Sequence, residues 1–487
     1  MKWPTPEAAW RPPPPPGGDT CGPAKPDPRC PLGWAVIGRS TPALTAPACD
    51  VTAALWAPRA WVQGRWRESV LLEVAADGTW ARVAPDTPRA GDADALPGPV
   101  LPGLVNAHSH AFQRAFVGLA ERRDGAHDDF WSWRDRMYGV ALSITPERLH
   151  ALARHLYAEL LHGGYTQVCE FHYLHHAPDG TRYADALAMT RALVQAAVDT
   201  GIGITVLPVL YERAGFDAPG LRTDQRRFAT TVDDVLALRD GVRALGLAHV
   251  SAGVAIHSLR AARASSIAAL AERLAGDAAP IHIHVAEQTA EVDDCVAASG
   301  LRPIEWLAGH VPLDARWQLV HATHTLPAEV DAVAASGAGV VLCPSTEANL
   351  GDGWPDLPRW LDSATPLATG SDSHVTRDWR EELRLLDYVQ RLVHRRRNVA
   401  AAPHHGAPAT AARLFERLLA GGAAAAGLGP CGLQRGARAD LLVVDTGDPA
   451  LLERDGDALL DTLVFSSPTR PFTRVMVGGR WVVGARA

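Results

Sequence analysis

The stretch Val105-Asn106-Ala107-His108-Ser109-His110 decides how the fold of this chain is interpreted. An apolar run, residues 100–105, leads into it and predicts a buried strand that ends at two histidines. Residues two apart on a strand share a face, so the imidazoles of His108 and His110 can converge on one point, as a divalent metal ion requires. A lone His-x-His motif also occurs by chance, so the rest of the chain has to decide between these interpretations.

Composition limits the class of protein. The 487 residues carry a formal net charge of −7 at pH 7, which argues against a general affinity for nucleic acid or anionic membranes. We find no apolar run of about 18 residues and no charged-then-apolar N-terminus, so we expect neither a transmembrane helix nor a signal peptide. The seven cysteines are odd in number and form no CxxC pairs, which favours a reduced, cytoplasmic protein.

Residues 1–50 differ from the rest of the chain because they are rich in proline and glycine, including Pro12 to Pro16. Such a composition cannot form a packed core, so we interpret the segment as an N-terminal extension and expect disorder there. A spurious extension is the alternative interpretation of this segment.

Alternating strands and helices fill the middle of the chain. Eight strand candidates cover residues 100–105, 165–171, 203–210, 250–256, 280–285, 317–321, 339–343 and 366–372. Helix-like segments separate most of them, for example 145–163, 184–200, 232–245, 261–275 and 327–336. Eight βα alternations predict a (β/α)₈ TIM-type barrel over residues 99–427. The alternative is an open doubly wound sheet, but no Gly-x-Gly-x-x-Gly follows the first strand, so we expect no dinucleotide site.

Strand-like segments also occur at both ends of the chain, at residues 53–56, 69–74, 80–83, 439–444, 462–465 and 475–483. They flank the barrel on both sides. We therefore predict a small β-sandwich domain that combines residues 51–98 with residues 428–487.

Groups that bind metals or transfer protons recur at the predicted C-terminal ends of the barrel strands, where barrel enzymes place their chemistry. They are His108, His110, Glu170, His172, Tyr173, His257, His284, His321 and Asp372. A single histidine at a strand end is more often structural than catalytic. Its repetition on five strands of one barrel is difficult to attribute to chance, and it predicts an active site.

One divalent metal ion, with zinc as the first choice, accounts for most of these groups. His108, His110 and His284 can supply three nitrogen ligands, and Asp372 can supply one oxygen and accept a proton from water. His321 is placed to stabilise developing charge. Glu287, three residues after His284, is placed to deliver protons to a leaving nitrogen, although an exposed loop carboxylate is the simpler interpretation.

These residues, with Ser371-Asp372-Ser373, resemble the amidohydrolase superfamily in its mononuclear-metal deaminase branch. No lysine that could bridge two metals stands at the end of the fourth strand. Residues 106–115, 130–134 and 170–176 further resemble the formimidoylglutamate deiminases within this superfamily. The resemblance covers about residues 51–487 and leaves out the N-terminal extension.

The resemblance implies hydrolysis of N-formimino-L-glutamate to N-formyl-L-glutamate and ammonia by a homodimer. It also implies a set of substrate-binding residues: Gln113, Arg134, Tyr173, His257 and Arg260. Arginine forks suit the two carboxylates of this small-molecule substrate, although surface salt bridges are the alternative for Arg134 and Arg260. The aromatic-rich insertion at residues 111–144 is interpreted as a lid that excludes water. Arg222, Arg226 and Arg227, after the third strand, are expected to be solvated.

Three other functions stay open. A deaminase of the same branch acting on a purine or pyrimidine would need a flat apolar slot in place of two arginines. An N-acyl amino acid amide hydrolase would share the metal site but would not need Glu287. A barrel homologue without catalysis would be expected to lack metal ligands, whereas all of the predicted ligands are present in this sequence.

Overall fold

The computed structural model describes residues 51–123, 128–466 and 468–484. The predictions for residues 1–50 therefore lie outside the described residues. All described residues belong to one unit, Cys49–Ala487. Among them, no helix is both long enough and apolar enough to cross a membrane.

The described residues form 17 strands and 13 α-helices. The strands are β1 (Val51–Val62), β2 (Arg65–Ala75), β3 (Trp80–Ala84), β4 (Asp94–Ala95), β5 (Val100–Leu101), β6 (Leu104–Ser109), β7 (Tyr165–His172), β8 (Gly203–Leu210), β9 (Val250–Ala252), β10 (Val254–Ile256), β11 (Ile281–Val285), β12 (Trp317–His321), β13 (Gly339–Leu342), β14 (Leu367–Thr369), β15 (Leu441–Val444), β16 (Phe472–Val477) and β17 (Arg480–Val483). The helices are α1 (Phe130–Ala141), α2 (Pro146–His162), α3 (Ala188–Thr200), α4 (Val232–Arg243), α5 (Ala264–Arg273), α6 (Thr289–Ser299), α7 (Pro303–His310), α8 (Pro327–Ser336), α9 (Pro344–Leu350), α10 (Leu357–Asp362), α11 (Trp379–His394), α12 (Thr410–Ala425) and α13 (Gly456–Phe465).

Parallel strands in sequence order form the central sheet: β6, β7, β8, the divided fourth strand β9 and β10, β11, β12, β13 and β14. Ser109 and Asp372 form a parallel bridge that joins the last strand position to the first. Every residue of β6, β7, β8, β11, β12 and β13 is buried, as expected for a parallel sheet that is covered by helices. The predicted TIM-type barrel is confirmed.

The close approach of the last strand to the first depends on Gly370. A Cβ at this position would lie 2.5 Å from His108 Cβ and 2.7 Å from the His108 backbone nitrogen, which no side chain tolerates. Two residues later, the Asp372 backbone nitrogen donates to the His108 carbonyl at 3.0 Å, and the His110 nitrogen donates to the Asp372 carbonyl at 3.3 Å. The closure of the barrel therefore brings Asp372 beside the two histidines of β6.

Both ends of the chain build a second sheet, with the order β17-β16-β15-β5-β1-β2-β3 and with β4 paired to β1. The prediction that both chain ends form a β structure separate from the barrel is thus confirmed. Its boundaries, 51–98 and 428–487 around a barrel at 99–427, stay a prediction.

The apolar run 100–105, expected as one strand, forms parts of two strands. Val100–Leu101 pairs with the terminal sheet, and Leu104 begins the barrel. Proline cannot donate to a sheet, and Pro102 stands between the two strands. A Cβ at the next residue, Gly103, would lie 2.3 Å from Thr166 Cγ2, so the chain passes close to β7 at this point.

Residues 462–465, expected as a strand, lie in α13. The buried residues of this helix are Leu459, Leu460, Leu463 and Val464, which is a helical spacing. The prediction was wrong because four apolar residues alone do not distinguish a strand from a buried helical turn.

Arg227, expected to be solvated, has no exposed surface. Its Nε donates to the carbonyl of His176 at 2.8 Å, and its Nη1 donates to the carbonyl of Ala141 at the end of α1. Burial lowers the pKa of its guanidinium group. Arg222 instead pairs with Asp135 and Asp224 at the surface.

Candidate active site

Three imidazoles meet at the C-terminal ends of β6 and β11. His108 Nε2 lies 3.0 Å from His110 Nε2 and 2.9 Å from His284 Nε2. His110 Nδ1 lies 2.9 Å from the Phe171 carbonyl oxygen, which can only accept, so Nδ1 carries the proton and Nε2 presents a lone pair. Burial lowers the pKa of all three histidines, that of His110 to about 3, which keeps the rings neutral.

Asp372 joins this group from the loop after β14. Its Oδ1 lies 3.4 Å from His110 Nε2 and 3.6 Å from His108 Nε2, and its Oδ2 lies 3.8 Å from His321 Nε2. Burial raises the pKa of Asp372 to about 7, although the positive charge of His321 opposes the shift. A bound cation would also oppose it, because it favours the ionised carboxylate.

The four side chains fit a divalent metal ion. His108 Nε2 lies at hydrogen-bond distance from two ring nitrogens and can donate to only one of them, so a cation between the rings would relieve the remaining repulsion between lone pairs. The ligand atoms of His108, His110 and Asp372 lie within 4.8 Å of one another, as do those of His108, His284 and His321. Nitrogen and oxygen ligands of this kind suit zinc. His321, Cys343 and Glu347 form a third such group.

Glu287 and His321 lie next to these ligands and are both buried. Glu287 Oε1 is 3.7 Å from His321 Nε2. Burial lowers the pKa of His321, but the charge of Glu287 and the side-chain contacts with Cys343 and Glu347 more than compensate, so the pKa lies well above its usual value. The other ring nitrogen, Nδ1, faces Glu347 Oε1 at 3.4 Å. Sequence analysis did not identify Glu347, because it lies on a helix and belongs to no strand-end pattern.

Several strand ends that carry these groups have a left-handed backbone. The φ angles are +52° at Ala286, +71° at His321, +48° at Ala322 and +47° at Asp372. Such conformations cost about 1–3 kcal/mol each in residues other than glycine, and they concentrate at functional sites.

Glu170 supports the site from behind and does not line it. Its carboxylate accepts hydrogen bonds from Ser109 Oγ and the Ala111 backbone nitrogen, both at 2.7 Å, and from the Tyr157 hydroxyl at 3.2 Å. These contacts fix the end of β6 on both sides of His110. His172, the other polar residue predicted at the end of this strand, also lies outside the cavity lining.

Helix α1 covers the site with one face. The lining residues Phe130, Trp133, Arg134, Met137 and Tyr138 follow the spacing of successive helical turns. The helix begins at Phe130 because Asp129 caps it, accepting from the backbone nitrogens of Trp131 and Ser132.

Two arginines converge on the same aromatic ring. The guanidinium carbons of Arg134 and Arg260 lie 4.6 Å and 5.4 Å from the centre of the Trp131 ring. Both arginines are buried, with 9% and 5% of their surface exposed. Arg134 Nε and Arg260 Nη1 have no hydrogen-bond partner within the described part of the chain. The surface salt bridge considered for Arg260 is absent from the described ranges, and Arg134 approaches Asp135 only at 3.5 Å.

The predicted substrate-binding residues surround one cavity. Gln113 Nε2 donates to the Tyr173 hydroxyl at 3.0 Å, and His257 packs against Tyr173 with ring centres 5.6 Å apart. The structure brings the predicted metal ligands, proton-transfer residues and substrate-binding residues together around this cavity, while Glu170 and His172 lie outside its lining. The cavity is lined by Gln113, Arg134, Tyr173, His257, Arg260, His110, His284, Glu287, His321 and Asp372, with His108 directly behind His110 and His284. Their roles stay predictions.

Comparison with known proteins agrees with this geometry. The model of the amidohydrolase family matches residues 100–482. The chain belongs to the amidohydrolase family. Members of this family depend on metal ions, in agreement with the grouped ligand atoms of the site.

Individual proteins are also similar to this chain over most of their length. A formimidoylglutamate deiminase from Pseudomonas aeruginosa is 47% identical over 432 residues, which cover 88% of this chain and 94% of the relative. The crystal structure of an amidohydrolase from Brucella melitensis is 40% identical, with a TM-score of 0.84 over 88% of this chain and 94% of that chain. A zinc-bound adenosine deaminase from Xanthomonas campestris, 23% identical with a TM-score of 0.73 over 89% of this chain and 93% of that chain, shares the fold.

Proposed function

We propose that this amidohydrolase hydrolyses N-formimino-L-glutamate to N-formyl-L-glutamate and ammonia. The observation that carries the proposal is the charge pattern of the cavity. Two buried guanidinium groups with unpartnered nitrogens, Arg134 and Arg260, share this cavity with the carboxylates Glu287 and Asp372. A substrate with two carboxylates and one formamidinium group complements both signs of charge. The 47% identity to a formimidoylglutamate deiminase supports the same substrate.

The carboxylate end of the substrate binds at the arginines in this proposal. Arg134 and Arg260 form charge-assisted hydrogen bonds with the two carboxylates, and Gln113, Tyr173 and His257 supply neutral contacts from the same walls. Helix α1 excludes water from the bound molecule, because one of its faces covers the cavity.

The amidine end lies between Glu287, His321 and Asp372. Asp372 accepts a proton as water attacks the amidine carbon, and His321 stabilises the charge that develops on the tetrahedral carbon's substituents. Glu287 pairs with the terminal nitrogen and transfers to it the proton that Asp372 took from water, so the carbon–nitrogen bond breaks and ammonia leaves. The added oxygen gives up its remaining proton to Asp372 and stays on the carbon as the formyl oxygen.

A divalent ion held by His108, His110, His284 and Asp372 would supply a nucleophilic hydroxide at neutral pH, because it lowers the pKa of a water molecule to about 7. We propose zinc, which suits three nitrogens and one oxygen. We also propose a homodimer, which the family resemblance implies, and a cytoplasmic location, which the small, odd number of cysteines without CxxC pairs favours.

The test is ammonia release by the purified protein from N-formimino-L-glutamate, with guanine, cytosine and an N-acyl amino acid as alternative substrates. We expect ammonia and N-formyl-L-glutamate in equal amounts from the first substrate, and turnover at least about 100-fold faster than with the others, as expected when buried charges would be left unpaired. Faster turnover of a base or of an N-acyl amino acid would contradict the proposal.

A further inference from the structure

Glu347 is a buried carboxylate with no role in the reaction proposed above. It lies on α9, Pro344–Leu350, with 2% of its surface exposed. Its Oε1 accepts a hydrogen bond from the Cys343 backbone nitrogen at 2.9 Å and faces His321 Nδ1 at 3.4 Å. The carboxylate is therefore anchored to its own helix and directed at the imidazole.

This contact concerns which ring nitrogen of His321 faces Glu347 and which faces the reaction site. An ionised carboxylate only accepts hydrogen bonds, so Nδ1 of His321 carries a proton and donates it in a hydrogen bond to Glu347 Oε1. The opposite nitrogen, Nε2, then faces the reaction site, 3.7 Å from Glu287 Oε1 and 3.8 Å from Asp372 Oδ2. The backbone of His321 is left-handed, with φ of +71°, a conformation that residues other than glycine rarely adopt.

We propose that Glu347 is a positioning residue for this reaction, which holds the His321 ring through Nδ1 so that Nε2 faces the reacting carbon. The proposal rests on the proposed function, since it assigns Glu347 a role through His321. Glu347 does not line the cavity and acts without touching the substrate.

The group formed by His321, Cys343 and Glu347 also has a second interpretation. The ligand atoms of His321, Cys343 and Glu347 lie within 4.8 Å of one another, which is also a spacing that could hold a metal ion. In that case Glu347 would be a metal ligand, and its removal would release an equivalent of metal.

The kinetic test compares Glu347→Gln and Glu347→Ala with a matched control, Glu382→Gln. Glu382 is equally buried and binds the same helix through Ser345, at 2.6 Å and 3.0 Å, but does not contact His321. We expect kcat to fall about 10- to 100-fold in Glu347→Ala, as for other carboxylates that orient a functional histidine, and less in Glu347→Gln, which keeps an acceptor. KM and metal content should stay close to wild type, and Glu382→Gln should keep full kcat.

A double-mutant cycle shows whether Glu347 acts through His321. In a His321→Gln background, Glu347→Ala should lower kcat by less than about twofold, because the residue it positions is already gone. Equal losses of kcat in both backgrounds would overturn the proposal. So would the loss of a full equivalent of metal from Glu347→Gln.

Nitrogen-15 NMR of the histidine rings gives a measurement that does not depend on the substrate. His321 Nδ1 should show a hydrogen-bonded proton signal in the wild-type protein and in Glu382→Gln, and the signal should be lost in Glu347→Ala. A signal that persists in Glu347→Ala overturns the positioning role. Failure of the proposed function is a different result, the absence of ammonia release from N-formimino-L-glutamate by the wild-type protein.

Discussion

At the scale of single residues, the site depends on carboxylates that are kept beside one imidazole. Glu287, Glu347 and Asp372 each lie within 4 Å of a ring nitrogen of His321. Burial makes the ionisation of these groups sensitive to their neighbours. Single substitutions can therefore test the separate role of each carboxylate.

Glu287→Gln should lower kcat by about 10²- to 10⁴-fold, the range for a proton-transfer group, because glutamine cannot carry a proton to the leaving nitrogen. Metal content should not change, since Glu287 is not among the proposed ligands. Steady-state kinetics and metal analysis of one preparation measure both quantities. A variant with wild-type kcat would refute the role of Glu287.

Arg227→Met should destabilise the protein by about 1–3 kcal/mol, because the carbonyls of His176 and Ala141 lose their buried donors. Urea denaturation measures the free energy of unfolding. The neighbouring Arg226→Met, at a partly exposed position, is the control and should change it by less than about 1 kcal/mol. Equal effects of the two substitutions would argue against a structural role for the buried guanidinium group.

The sequence could predict that His108, His110, His284 and Asp372 lie at one site. Side chains alternate along a strand, and all strands of a parallel barrel end on the same face, so both rules apply to each strand separately. It could not predict the roles of Arg227 and Glu347. Their partners are 86 and 26 residues away at the relevant contacts, and no pattern of spacing encodes such contacts. The burial of Glu287 is also a product of tertiary packing.

At the scale of secondary-structure elements, helix α1 is the part of the lid that contacts the barrel, and it does so through aromatic and cationic side chains. The guanidinium groups of Arg134, on this helix, and Arg260, on the loop after β10, both lie over Trp131. A lid over residues 111–144 was predicted from aromatic content, and the structure shows a helix there that covers the cavity. The shared ring could not be predicted, because it joins segments about 130 residues apart.

Trp131→Ala should raise KM for N-formimino-L-glutamate about 10-fold or more, with a smaller change in kcat, because a desolvated cation–π contact stabilises a guanidinium group by about 2 kcal/mol. Trp131→Phe keeps an aromatic face and should retain most of the affinity. Steady-state kinetics of the two variants provide the measurement. An unchanged KM in Trp131→Ala would show that the arginines are held by other contacts.

Asp277 ties α4 to the segment before β11 and gives a pH-dependent contribution to stability. It accepts hydrogen bonds from Arg243 and Arg239, and the Arg243 hydrogen bond is the main reason that the pKa of Asp277 falls to about 2. The folded-state pKa is below the unfolded value of 3.8, so the stabilisation is complete above about pH 5 and is lost as the pH falls towards 2.

Asp277→Asn should therefore lower the free energy of unfolding at pH 5–7, and its difference from wild type should shrink as the pH falls below about 4. Urea denaturation across this range is the measurement. The exposed Asp294→Asn on α6 is the control and should match wild type at each pH. A difference that grows on acidification would contradict the depressed pKa.

At the scale of the whole molecule, the barrel brings together side chains separated by more than 260 positions. His108 and Asp372 meet because Gly370 lets the last strand approach the first. The order of eight βα units was readable from alternating apolar segments, and so was the second sheet from both chain ends. The division of residues 100–105 between the two sheets and the helix at 456–465 could not be predicted. A short apolar run is compatible with either a strand or a buried helix, and it does not determine which element it packs against.

The central claim is that His108, His110, His284 and Asp372 share one divalent ion. Anomalous diffraction from a crystal of the zinc-loaded, active protein tests this directly. We predict a single peak about 2.0–2.2 Å from the Nε2 atoms of the three histidines and from a carboxylate oxygen of Asp372. A peak between His321, Cys343 and Glu347, or no peak among the four proposed ligands, would contradict the account.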